Sequence, residues 1–358
     1  MLICTEENKY MNDFLIIDDE DMNFIWNTIQ QLQVVFHPQI APCGKIDMKR
    51  FFEIKRNKPI VLLVDRNILS GLLNFCENGS LKDRGESQIL GLLMTWSEMN
   101  DIAISVGFAI QERATQTKNQ EEGLKELQKF LEIIETYPGQ MWLKIAEGQV
   151  TQIPPISFSG KVDIDNMVNY SNGCDHYYML VASMLHIVKL YRNQELRPAD
   201  KVIDFLRWTY DNLLLSQYAL VYAILLFTGQ EYIKAPKGAS TGDINRIIRG
   251  CENQAWDICY LSSWSTFYFD SENVSQEFMF ATNDNLLKRI FINTHGIDGV
   301  NGLLFAAFSK KDYNKICDYI LKRQANSNRT DFGESPQSYF EKLINEEKEQ
   351  IIELLADK

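Results

Sequence analysis

Four acidic residues, Asp65, Glu112, Asp257 and Asp284, stand where a carboxylate is either functional or costly. Asp65 closes the apolar run PIVLLVD over 59–65, and Asp284 follows the apolar stretch EFMFAT over 277–282. Ligands of α/β sheets gather beyond the carboxyl ends of parallel strands, so acids at such ends face the functional edge. A plainer role is open to both, as N-cap of the helix that follows, and Asn283 competes with Asp284 for it. Asp257 lies within AWDICYL over 255–261, an apolar helical stretch. A carboxylate there is expensive unless it is paired, hydrogen-bonded or metal-bound. Glu112 ends the run VGFAIQE over 106–112, with Arg113 beside it as partner for a simple surface ion pair. Carboxylates are hard oxygen ligands suited to Mg2+ or Mn2+.

The elements that must position these acids can be read from periodicity. Residues 12–36 suit a helix running into a short strand. The run 59–65 is short, β-rich and apolar throughout, as a central parallel strand covered on both faces would be. Helices are expected over 67–76 and 84–99, and 120–136 places Leu124, Leu127, Phe130, Leu131 and Ile134 on one amphipathic face. Residues 101–106 fit either a second strand or the start of the helix carrying Glu112. The sequence Tyr137-Pro138-Gly139 breaks a helix, and 154–160 reads as a linker. Strong helical character over 175–229 is followed by a loop at 234–242, a helix over 243–261, a strand over 277–282 and a helix entered through Pro336. Strands alternating with helices predict an α/β core.

Taken in order, these motifs resemble the PIN-domain nuclease family. The run VLLVDRNIL over 61–69 is similar to the family's first strand, with Asp65 at the first metal-coordinating acid and Asn67 at its polar neighbour. Glu112 matches the second acid, Asp257 the aspartate of a small-and-apolar helix, and ATNDNLL over 281–287 the Thr-x-Asp signature that contributes Asp284. Two departures stand out: Arg66 occupies a place where a small hydroxyl residue is common, and a long insertion separates Glu112 from Asp257. The resemblance implies a central parallel sheet flanked by helices, with a helical insertion and a C-terminal helix. It divides the chain into an N-terminal extension (1–55), a core in two halves (56–120 and 243–330), an insertion (121–242) and a last helix (331–358).

What the resemblance implies chemically is phosphodiester hydrolysis, in RNA or single-stranded nucleic acid, through Mg2+ or Mn2+. Asp65, Asp257 and Asp284 would be direct or water-mediated ligands, and Glu112 a ligand or an orienting base. Clustering such carboxylates raises some of their pKa values, so the cluster itself calls for a cation. Asn67, Asn283, Arg246 and Arg249 are candidate substrate contacts, the two arginines lying on one helix face. The alternative is a catalytically inactive PIN-like scaffold that binds nucleic acid or a protein, its acids serving as caps and ion pairs. The helical insertion offers such a protein partner a surface.

Composition narrows the field. With 36 basic against 48 acidic residues the formal charge is −12, unlike proteins that coat nucleic acid through general electrostatics. The basic residues Lys45, Lys49, Arg50, Lys55, Arg56 and Lys58 form either a solvated connector or a phosphate-contacting rim. Seven scattered cysteines without a CxxC pair argue against zinc ribbons and thioredoxin-type chemistry, and a reducing cytoplasm is the expected compartment. No signal-peptide pattern opens the sequence. The apolar segments 177–191 and 213–228 are too short or too interrupted to span a bilayer and are expected to be core helices. Walker, GxGxxG, HExxH and nucleophile-elbow motifs are absent. His176 and His186 share a helical face about 15 Å apart, too far for one metal, and are expected to be structural. Trp256, Trp264 and Tyr268 are expected in the core.

Overall fold

A computed structural model describes residues 15–160, 173–270, 275–325 and 335–356. The N-terminal segment, with Cys4, lies outside them. In chain order the first part runs α1 (Asp19–Leu32), β1 (Val35–Phe36), α2 (Met48–Lys55), β2 (Ile60–Val64), α3 (Arg66–Asn78), α4 (Arg84–Met99), β3 (Ala103–Ser105), α5 (Gly107–Thr117), α6 (Gln120–Thr136) and α7 (Gly139–Ala146). The second part runs α8 (Asp175–Arg192), α9 (Pro198–Asn212), α10 (Gln217–Phe227), α11 (Ile244–Phe269), β4 (Glu277–Ala281), α12 (Asn285–His295), α13 (Gly299–Ala307), α14 (Lys310–Ala325) and α15 (Pro336–Ala356). The chain forms two compact units. The first comprises Met1–Gly173 with Trp264–Asp284, the second Cys174–Ser263 with Asn285–Lys358.

The first unit is α/β: one open sheet of order β1-β4-β2-β3, flanked by helices. As the unbroken apolar run predicts, β2 is central and buried at every position. It pairs in parallel with β4 through Val64↔Ala281 and with β3 through Leu63↔Ser105. The sheet is not wholly parallel, however. The two-residue β1 pairs antiparallel with β4 through Val35↔Ala281. A left-handed residue, Gln33, ends α1 and turns the chain straight onto this edge. At the opposite end of β4, Glu277 accepts a bond from His37 Nε2 at 2.9 Å. His37 Nδ1 accepts the amides of Gln39 and Ile40. Those two amides fix the tautomer, and burial lowers the imidazole pKa despite Glu277.

Residues 101–106 satisfy both readings open to them, a short edge strand leading directly into α5. The break at Pro138 is real, but a further helix starts there, because Trp142, Leu143 and Ile145 bury the face of α7. Trp26 of α1 meets Phe51 of α2 and Trp96 of α4 edge-on, at 5.5 and 6.0 Å between ring centres, which pins these helices together.

The second unit is helical. All residues of α10 from Tyr218 to Phe227 are buried, so this apolar run is a core helix within its own unit. No helix among the described residues is long and apolar enough to cross a membrane. α11 runs past the expected end at 261, because Ser262 and Ser263 are buried within it. Ser262 Oγ lies 3.2 Å from Ser216 Oγ. Trp256 is a core residue of this unit and Trp264 one of the first unit, as expected. His186 is structural too: its Nδ1 lies 3.1 Å from the buried Glu347 of α15, and its ring stacks on Trp208.

Candidate functional site

The carboxyl ends of the three parallel strands set the geometry. Register places Val64 of β2 beside Ala281 of β4, so the next residues on each strand, Asp65 and Thr282, become neighbours. The Thr282 hydroxyl donates a short hydrogen bond to Asp65 Oδ2, and the Asp65 amide donates to Ala281 O at 3.1 Å. Asp65 Oδ1 accepts the Ile68 amide at 2.9 Å, so Asp65 is also the N-cap of α3. Strand-end acid and helix cap are one residue here, not rival descriptions. Thr282 Oγ1 in turn accepts the Asp284 amide at 2.9 Å, which ties Asp284 to the same knot. From the third strand, β3 leads within a few residues into α5, where Glu112 is buried and accepts a bond from Gln116 Nε2 at 2.7 Å.

Asp65 is 1% exposed, and its electrostatics report what surrounds it. Burial pushes its carboxyl from an ordinary 3.8 up to about 6. The charges of Asp284 and Glu112 add to the rise, while the Thr282 hydroxyl and the Ile68 amide hold it back. Two of the other sequence-selected acids, Asp284 and Glu112, therefore act electrostatically on Asp65. Among the described residues, no three His, Cys, Asp or Glu side chains form a ready-made shell for a metal ion. The donor set is nonetheless all oxygen and anionic, and the most buried member is strained toward its neutral form. A bound hard divalent cation would favour the ionised form of such a group.

Asp257 belongs to the second unit. It is half-buried on α11, where Gln254 Nε2 donates to its Oδ2 at 3.0 Å. Its charge helps to raise the Tyr222 hydroxyl pKa, chiefly the work of burial. The cost of placing a carboxylate in this apolar helix is thus offset by an amide one turn earlier.

The departure at Arg66 also has a structural reason. Its guanidinium makes a two-pronged ion pair with Glu126 of α6, with the Nη2 branch at 2.8 Å, and Nη1 reaches Ala109 O at 3.5 Å. Arg113 does not simply sit at the surface beside Glu112: it pairs with Glu122 and Glu126 at 3.5 and 3.4 Å. Both arginines next to the acidic cluster are engaged by α6. Asn67 and Asn283 are exposed at the ends of the two central strands, and Arg246 and Arg249 are exposed on α11. In the basic stretch, Arg50 donates to Gln39 Oε1 at 2.8 Å.

Thr282, Gln116 and Glu126 were not singled out by the sequence. Thr282 had a signal, the Thr-x-Asp pattern, but its contact with Asp65 depends on which strands are neighbours. Glu126 reads as one more charged position on an amphipathic helix. Comparison with protein families, with curated proteins and with solved structures gives no match.

Proposed function

We propose that the chain is a divalent-cation-dependent nuclease with a PIN-like core, hydrolysing phosphodiester bonds in RNA or other single-stranded nucleic acid in the cytoplasm. One observation carries this reading. Asp65 and Asp284 follow two neighbouring parallel strands, Glu112 lies on the helix after the third, and the charges of Asp284 and Glu112 work against the ionisation of Asp65. Asp65 and Asp284 would hold Mg2+ or Mn2+ through the lone pairs left after their internal bonds. Asp257 enters the reading through the family resemblance alone.

The cation, when bound, supplies charge neutralisation on the phosphate and a lowered pKa for an attacking water. The chain's own groups do the rest. Thr282 and the Ile68 amide fix the Asp65 carboxylate so that its remaining lone pairs keep one direction. Gln116 holds Glu112, whose carboxylate serves as a ligand or accepts the proton lost by the attacking water. The exposed amides of Asn67 and Asn283 offer hydrogen bonds to substrate at the rim. Arg246 and Arg249, exposed on α11 in the second unit, enter the reading, like Asp257, through the sequence alone.

The rival reading, an inactive scaffold for nucleic acid or a protein partner, draws on the internal bonds already made by both Asp65 oxygens. Single-stranded RNA incubated with Mn2+, with EDTA and with Asp284→Asn protein separates the two. Manganese-dependent cleavage is expected to fall at least about 100-fold in the variant, the upper end of what loss of a supporting partner at a metal site costs. Cleavage that survives both EDTA and the substitution sinks the site. Binding of RNA without any cleavage favours the scaffold.

A further inference from the structure

The second unit contains a pair of thiols that the proposed nuclease chemistry does not use. Cys174 immediately precedes α8, and its carbonyl accepts the amides of Tyr177 and Tyr178 at 2.9 and 3.2 Å. Its sulfur lies 3.6 Å from that of Cys259 on α11, a residue 85 positions away in the chain. Cys259 is buried and lies a further 3.6 Å from the Ser263 hydroxyl, whereas Cys174 is half-buried. Among the described cysteines, Cys76 and Cys251 are buried thiols whose pKa values burial pushes up to about 12 and above, so they are inert.

We propose that Cys174 and Cys259 form an oxidisable dithiol that a hydroperoxide converts into an intramolecular disulfide. Cys174 is the attacking sulfur. The Cys259 thiol brings its pKa down to about 6 against the opposing effect of burial, with help from the Tyr177 and His176 amides and the Ser263 hydroxyl. The positive end of an 18-residue helix acts in the same direction. Attack on the peroxide breaks the O–O bond, releases an alcohol or water, and leaves Cys174 as a sulfenic acid. Cys259 then attacks the Cys174 sulfur. Its proton leaves with the departing hydroxide as water, and the S–S bond forms. Two thiol hydrogens and two electrons pass to one hydroperoxide, and the balance closes. The proposal is independent of whether the protein cleaves RNA.

Native full-length protein treated with graded hydrogen peroxide at pH 7, alkylated, digested and weighed by mass spectrometry tests this. A Cys174–Cys259 cross-linked peptide, lighter by two hydrogens and sensitive to reductant, is expected. It should appear at peroxide concentrations at least about tenfold below those that oxidise the half-buried Cys43. In Cys259→Ser protein the reaction should stop at a Cys174 sulfenic acid that dimedone traps. Oxidation of Cys174 no faster than that of Cys43, or only intermolecular cross-links, would overturn the proposal.

Discussion

Asp65→Asn protein is expected to be more stable than wild type at pH 7.5 without divalent cations, and to lose that advantage at pH 4. The sign follows from the folded carboxyl, pushed by burial up to about 6 from an ordinary 3.8. Between those values the folded chain keeps a proton that the unfolded chain has lost, so stability falls as pH rises through the window. Above about pH 6 the full cost is present, on the order of 3 kcal/mol for a shift of this size. Asparagine cannot ionise, yet its carbonyl still accepts the Ile68 amide and so keeps the cap of α3. Urea denaturation of both proteins at pH 4 and 7.5 measures the effect as a difference of differences. A variant that is less stable at pH 7.5 by the same amount as at pH 4 would mean that Asp65 carries no such penalty.

The second large effect lies in the helical unit. Glu347 of α15 is 2% exposed and receives His186 Nδ1 at 3.1 Å and Lys189 Nζ at 2.9 Å, both from α8. Burial alone would raise its pKa, but the bonds and charges of His186 and Lys189 outweigh burial and hold it below the ordinary 4.5. Burial likewise lowers the His186 pKa, against the opposing pull of Glu347. Glu347→Ala removes the shared acceptor and leaves Lys189 without its buried counter-charge. A loss of about 3–5 kcal/mol is expected, with Glu347→Gln losing less because one acceptor oxygen survives. Thermal unfolding of the three proteins at pH 7 checks this; an alanine variant within about 0.5 kcal/mol of wild type would show that the cluster contributes nothing net.

These two residues also show where sequence reading succeeds and where it stops. Asp65 was legible because its signal is local: an apolar strand, an acid, then a helix. The same holds for β4 with Asp284 and for Pro336 opening α15. Glu347 was not legible, since one glutamate in the run NEEKEQ looks like its solvated neighbours. Only the packing of α15 on α8 makes it a buried acceptor. Thr282 lies between these cases, visible as part of a pattern but given its task by strand order. The short strand after α1 was expected, but not its antiparallel direction, because two residues carry no periodicity from which direction could be read. Arg66 looked like a departure until α6 supplied Glu126, a contact spanning 60 positions.

The central claim is that Asp65, Asp284 and Glu112 together take up a divalent cation. Mn2+ titration followed by calorimetry or electron paramagnetic resonance measures this without a substrate. Wild-type protein is expected to bind Mn2+ saturably at pH 7.5. Binding should weaken about tenfold at pH 5, where Asp65 must give up a proton before it can act as ligand. It should disappear in Asp65→Asn and in Asp284→Asn protein. Unchanged Mn2+ binding in both variants, or no saturable binding by wild-type protein, would contradict the account.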